Sequence, residues 1–118
     1  MEIVEQKTDG ILVIELVGRL DTASYQTVEP RFMEILEKEK NILIDCARLD
    51  YICSFGLRLV LKMSKAIRVK EGLLVICSPR EFVKEVFEVS GYNRIMPILP
   101  TREEGTKLFE SHLKSAAT

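Results

Sequence analysis

Two short apolar runs constrain this chain more than any other feature. Ile42, Leu43 and Ile44 form a run closed by Asp45, and Leu73–Cys77 holds no charged or strongly polar side chain. Runs this short and this uniform suit strands covered on both faces. Each is followed by a stretch whose apolar residues recur at helical spacing. Leu57, Val60, Met63 and Ile67 share one helix face after the first run; Phe82, Val83, Val86 and Phe87 form a stripe after the second. Strand and helix thus alternate along most of the chain. The fold class predicted is α/β, a mostly parallel sheet with right-handed crossovers.

The flanking segments complete this frame. Residues 2–7 and 11–17 read as two strands joined at Thr8-Asp9-Gly10, a strong hairpin signal, so the N-terminal strand is antiparallel. In the second strand Ile11, Val13 and Val17 share one face and Leu12, Ile14 and Leu16 the other, as a central strand requires. Gly18 to Thr22 is a break and then a helix start, with Asp21 or Thr22 as cap. Tyr25, Val28, Phe32, Ile35 and Leu36 follow at helical spacing, and Pro30 within them predicts a kink or a division into two pieces. A short connection after Asp45 leads to Ser54, read as the N-cap of the next helix, with Gly56 keeping the approach to that turn open. Glu71-Gly72 stops that helix. Ser78-Pro79-Arg80-Glu81 and Thr101-Arg102-Glu103-Glu104 both read as capping boxes. Residues 95–99, interrupted by Pro97, belong at a sheet edge, and residues 115–118 read as a frayed tail. The expectation is one domain over residues 1–118 with about four helices.

Composition excludes several classes of function. Apolar residues at 47% against 30% charged describe a globular chain. With 17 basic and 18 acidic side chains the net charge is −1, which gives no basic surplus for nucleic acid. No apolar run spans a bilayer, and the first residues lack a signal-peptide layout, so the expected compartment is the cytoplasm, without membrane insertion. Cys46, Cys53 and Cys77 are odd in number and never in C-x-x-C spacing, which reads as reduced, mostly buried thiols. His112 is the single histidine. No triad, phosphate loop or metal-ligand cluster emerges, so no cofactor and no enzymatic role are expected.

Gly18-Arg19-Leu20-Asp21, then Asp45, then Ile52-Cys53-Ser54-Phe55-Gly56-Leu57 resemble the STAS domain of bacterial anti-sigma factor antagonists. Gly72-Leu73-Leu74-Val75-Ile76 and Val86-Phe87-Glu88-Val89-Ser90-Gly91 extend the resemblance over nearly the whole chain. It implies a switch serine at Ser54, phosphorylated by a partner that is both serine kinase and anti-sigma factor and reset by a phosphatase. Unphosphorylated antagonist binds that partner and frees the sigma factor; Asp21 lies beside the serine and helps recognition. The sequence departs from the family at Cys53, usually Asp, and at Phe55, usually a small residue.

The partner-binding set expected from residues and resemblance together is Asp21, Cys53, Ser54, Phe55, Gly56, Arg58 and Lys62. Arg58, Lys62, Lys65 and Arg68 recur along the Ser54 helix, as a solvated face or as a docking stripe for an acidic partner. Two other readings stay open. One is a STAS interaction subunit of a transport or signalling assembly that works without phosphorylation. The other is a redox sensor using Cys53, whose place at a helix N-terminus would lower a thiol pKa.

Overall fold

Asp9 and Gly10 both adopt left-handed backbone, with φ of 50° and 81°. A two-residue type I′ turn needs that pair of conformations. Strand β1 (Glu2–Thr8) therefore folds back on β2 (Ile11–Leu20), with Thr8 opposite Ile11. The computed structural model, which describes residues 1–117, continues with α1 (Thr22–Lys38), β3 (Asn41–Ile52), α2 (Ser54–Val69), β4 (Leu73–Cys77), α3 (Glu81–Val89), a 3₁₀ turn at Tyr92–Arg94, β5 (Ile98–Leu99) and α4 (Arg102–Ala117). The sheet order is β1-β2-β3-β4-β5. Only the β1–β2 pair is antiparallel. This is the mixed α/β sheet with four helices that the alternating pattern predicted.

The two faces of β2 bury different partners. Leu12, Ile14 and Leu16 join Ile42, Ile44 and Ile76 beneath Val28 and Phe32 of α1, Val60 and Met63 of α2, and Val83 and Phe87 of α3. Ile11 and Val13 join Leu43, Val75 and Cys77 on the opposite face, beneath Phe109 of α4. Three helices thus cover one face and one helix covers the other.

Several elements differ from the expectation. β3 does not stop at Asp45 but runs twelve residues, to Ile52, and β2 continues through Gly18 to Leu20. The cause is two irregularities in their pairing. Glu15 faces Asp45 but Val17 faces Arg48, and Gly18 faces Leu49 but Arg19 faces Tyr51, so β3 carries one extra residue at each step. Such bulges break the two-residue alternation by which a strand is recognised. Gly18 has φ of 107° here, backbone that a side chain would oppose. Pro30 does not divide α1, which is continuous over 17 residues; the missing bond is offset by Val28, Phe32, Ile35 and Leu36, buried on both sides of it. Ser78 caps nothing. Its N–H donates to Leu99 O at 2.9 Å, which holds it in the β4–β5 ladder at φ of 57°, and α3 begins only at Glu81. Thr101 does cap α4, its hydroxyl accepting the Glu104 N–H at 3.1 Å. The late edge strand shrinks to Ile98–Leu99. The expected frayed tail is helical as far as Ala117, and Thr118 lies outside the described residues.

Candidate functional site

The long β2 and β3 strands end together. Cys53 N–H donates to Leu20 O at 2.8 Å. The next residue in each chain direction is Asp21 in one case and Ser54 in the other, so both stand at the C-terminal edge of adjacent parallel strands. Edges of this kind are where α/β sheets bind ligands and partners.

At the first of these helix starts the polar groups satisfy one another. Asp21 Oδ1 accepts the Ser24 N–H at 2.9 Å, and Ser24 Oγ accepts the Asp21 N–H at 2.9 Å. The Ser24 hydroxyl donates to Arg19 O at 2.8 Å. The bonds from Ser24 backbone and side chain, with Arg19 at 4.0 Å, hold the Asp21 carboxyl below its usual range.

At the second start the expectation needs correction. Ser54 is not the N-cap of α2; Cys53 is, with φ −87° and ψ 173° and no side-chain capping bond. Leu57 N–H closes the first turn on Cys53 O at 3.0 Å. The N–H groups of Ser54, Phe55 and Gly56 have no acceptor among the described residues. Ser54 occupies the first helical position. It is exposed, and its hydroxyl makes no hydrogen bond among the described residues.

Around Ser54 the predicted residues separate into two groups. Phe55, Arg58 and Lys62 are exposed. Phe55 is 42% accessible, its ring centroid lies 5.5 Å from that of Tyr25, and the Arg58 guanidinium stands 4.8 Å from its centroid. Tyr25 in turn donates to Glu29 at 2.5 Å, and that bond raises its hydroxyl pKa. Cys53 and Gly56 are buried. A Cβ on Gly56 would come within 2.8 Å of Leu20 and 2.9 Å of Ile52, so this glycine lets α2 seat against the ends of β2 and β3.

Residues not anticipated from sequence extend the edge. Arg19 lies 4.5 Å from the Tyr51 ring centroid, and Tyr51 stacks on Phe82 at 6.1 Å. Phe82 belongs to the apolar stripe of α3 by its spacing, yet it is 51% exposed. Tyr51 is one of the positions displaced by the β3 irregularities, which hid its side from the sequence pattern.

A family model described as the STAS domain matches residues 2–105. This chain belongs to the STAS domain family. A relative named "putative anti-sigma factor antagonist BtrV", from Bordetella bronchiseptica, is 37% identical over 114 residues, 96% of this chain and 98% of that one. Among solved structures, a Thermotoga maritima protein described as a "putative anti-sigma factor antagonist" superposes with a TM-score of 0.84 at 22% identity, covering 89% of this chain and 92% of that one. The Bacillus cell fate determinant SpoIIAA in its phosphorylated form does so with a TM-score of 0.72 at 22% identity, covering 92% and 99%.

The cysteines of this STAS domain are all free and buried. Burial pushes the Cys46 thiol well up and the Cys77 thiol up to about 11, the direction that disfavours a reactive thiolate. Among the described residues no group of three acidic, histidine or cysteine side chains is placed to hold a metal, and no helix is long and apolar enough to cross a membrane.

Proposed function

We propose that this STAS domain is an anti-sigma factor antagonist, acting in the cytoplasm and switched at Ser54. It binds an anti-sigma factor serine kinase through the edge formed by Asp21, Ser54, Phe55, Arg58 and Lys62, and it is released when Ser54 is phosphorylated. The observation that carries this reading is Ser54 itself: an exposed hydroxyl with no hydrogen bond among the described residues, at the first position of a helix without a side-chain cap. The near-full-length similarity to a protein named as an anti-sigma factor antagonist supports the same class.

The chemistry suits the position. Ser54 Oγ attacks the γ-phosphorus of ATP held by the kinase; a P–O bond forms, the bond to ADP breaks, and the hydroxyl proton passes to a base on the kinase. The product adds about two negative charges at neutral pH. The open N–H groups of Ser54, Phe55 and Gly56 and the positive end of the α2 dipole tolerate that charge, so the fold stays intact. A partner shaped to an uncharged hydroxyl meets an unmatched dianion, which costs affinity by charge and desolvation. A serine phosphatase restores the binding state by hydrolysing the ester.

The test is incubation with ATP and the cognate anti-sigma kinase, mass spectrometry to locate phosphate, and calorimetry of both forms against that kinase. Phosphate on Ser54 with at least a tenfold loss of affinity is the expected result. Tight binding with no phosphorylation, or with phosphate that leaves affinity unchanged, would instead indicate a phosphorylation-independent STAS subunit, the role that Cys53 in place of the family's usual Asp would fit.

A further inference from the structure

Helix α2 holds four basic side chains, Arg58, Lys62, Lys65 and Arg68, and no acidic one. Arg68 is engaged, donating to Ile95 O at 2.7 Å. Arg58 is exposed and makes no ion pair among the described residues. Its guanidinium stands over the face of Phe55, 4.8 Å from the ring centroid.

Position and direction give Arg58 a second possible partner. It lies four residues after Ser54, so the two are neighbours on the helix surface, with Cβ atoms about 5–6 Å apart. Helical side chains lean toward the N-terminus, and the guanidinium over Phe55 has already travelled that way. We propose that Arg58 is the residue within this chain that reads the state of Ser54: it covers Phe55 while Ser54 is unmodified and swings to clasp the phosphate when Ser54 is phosphorylated, uncovering the ring. The inference rests on the reading of Ser54 as the switch.

The competition is one-sided. A ring face attracts a cation through its quadrupole alone. A phosphate dianion offers full charge and accepts two parallel N–H bonds from the planar guanidinium. The other charged groups at this edge do not compete for Arg58. Asp21 is committed to Ser24 and lies 4.0 Å from Arg19, and Glu29 accepts from Tyr25. Phosphorylation would therefore change two features of the surface at once. It adds charge at Ser54, and it breaks up the stack in which Arg58, Phe55 and Tyr25 lie together. The partner would lose an aromatic anchor in its bound form as well as meeting a new charge.

The test uses the full chain with phosphoserine installed at position 54 by genetic incorporation. It needs neither kinase nor partner, so its failure is separate from failure of the switch itself. The second ionisation of the phosphate is followed by phosphorus NMR against pH, with Phe55 ring resonances recorded alongside. With Arg58 present the phosphate should ionise at lower pH than in Arg58→Gln by about half a unit, a threefold change in ionisation constant. The Phe55 resonances should move on phosphorylation in the parent chain and stay still in Arg58→Gln. Lys62→Gln, two turns from Ser54, should behave like the parent, and Arg58→Lys should recover part of the ionisation shift. Equal phosphate titration in the parent and Arg58→Gln overturns the clasp. So does an effect of Lys62→Gln as large as that of Arg58→Gln, which would mean that the general charge of α2 and not Arg58 is being read.

Discussion

Two helices begin at the same edge of the sheet, on neighbouring strands tied by the Cys53–Leu20 backbone bond, and they begin in opposite ways. At α1, Asp21 and Ser24 satisfy each other's backbone N–H groups. At α2, Cys53 offers no capping oxygen, and the N–H groups of Ser54, Phe55 and Gly56 are left open among the described residues. A helix start is an orphaned cluster of donors unless something accepts from them. The first start is closed by its own residues and makes a rigid flank. The second is left open and carries the exposed hydroxyl. The difference sets a start whose donors are satisfied by its own residues beside one whose donors are not.

The strongest way to break the comparison is to push the two starts apart. Gly56→Val places methyl groups where even a Cβ would come within 2.9 Å of both Leu20 and Ile52. The expected cost is about 2–3 kcal/mol, read from the denaturant midpoint, because both neighbours are buried in the core and must shift to make room. Partner affinity should fall with it, since Ser54 and Asp21 would no longer share one edge. A variant as stable as the parent would mean that α2 is not seated on these strand ends.

A smaller effect is expected from opening the closed start. Asp21→Ala removes the carboxylate that accepts the Ser24 N–H, and the midpoint should drop by less than for Gly56→Val. The loss should depend on pH. The folded Asp21 carboxyl is held below its usual value, so its contribution is complete above the unfolded value of about 3.9 and disappears as the pH falls through the lower folded value. The gap between parent and variant should therefore close in acid. A gap unchanged from neutral pH down to about pH 2 would show that the charge of Asp21 is not what caps α1.

The smallest effects sharpen the comparison from the open side. Cys53→Ser supplies the missing capping oxygen and should raise stability by about 0.5–1 kcal/mol. Ser54→Ala removes a hydroxyl that bonds nothing and should stay within about 0.5 kcal/mol of the parent. If Ser54→Ala costs as much as loss of a cap, Ser54 rather than Cys53 closes this helix in solution.

That reversal of Ser54 and Cys53 marks the limit of what the sequence discloses. Leu73–Cys77 reads as a buried strand because every position is apolar, and Asp9-Gly10 reads as a turn because so few residue pairs adopt that backbone; both are as expected. Ser54 reads as the N-cap because serine favours that position, whereas the cap falls directly after β3, which ends at Ile52, and two irregularities in the pairing of β3 with β2 hide that end from the sequence pattern. The same irregularities concealed Tyr51 and the stack it makes with Arg19 and Phe82. Ser78-Pro79-Arg80-Glu81 has every residue of a capping box, yet the β4–β5 ladder holds Ser78 and the start of α3 moves on to Glu81. Local preference was overruled in each case by a backbone bond to a residue distant in sequence. Phe55 and Arg58 were legible as surface residues from their helical spacing; the guanidinium over the ring was not, because spacing does not report direction.

The unequal covering of the sheet has a consequence for how the chain comes into being. Ile11, Val13, Leu43 and Val75 are shielded on their side by α4 and its wholly buried Phe109. α4 follows all five strands in the chain. At a synthesis rate of roughly 5–20 residues per second, its 16 residues take about one to three seconds to make. Until α4 docks, that face of the sheet has no helix to cover it. Newborn chains are most exposed to one another and to chaperones in that window, so a defect in α4 should show first as lost yield from the ribosome and only later as a loss of regulation.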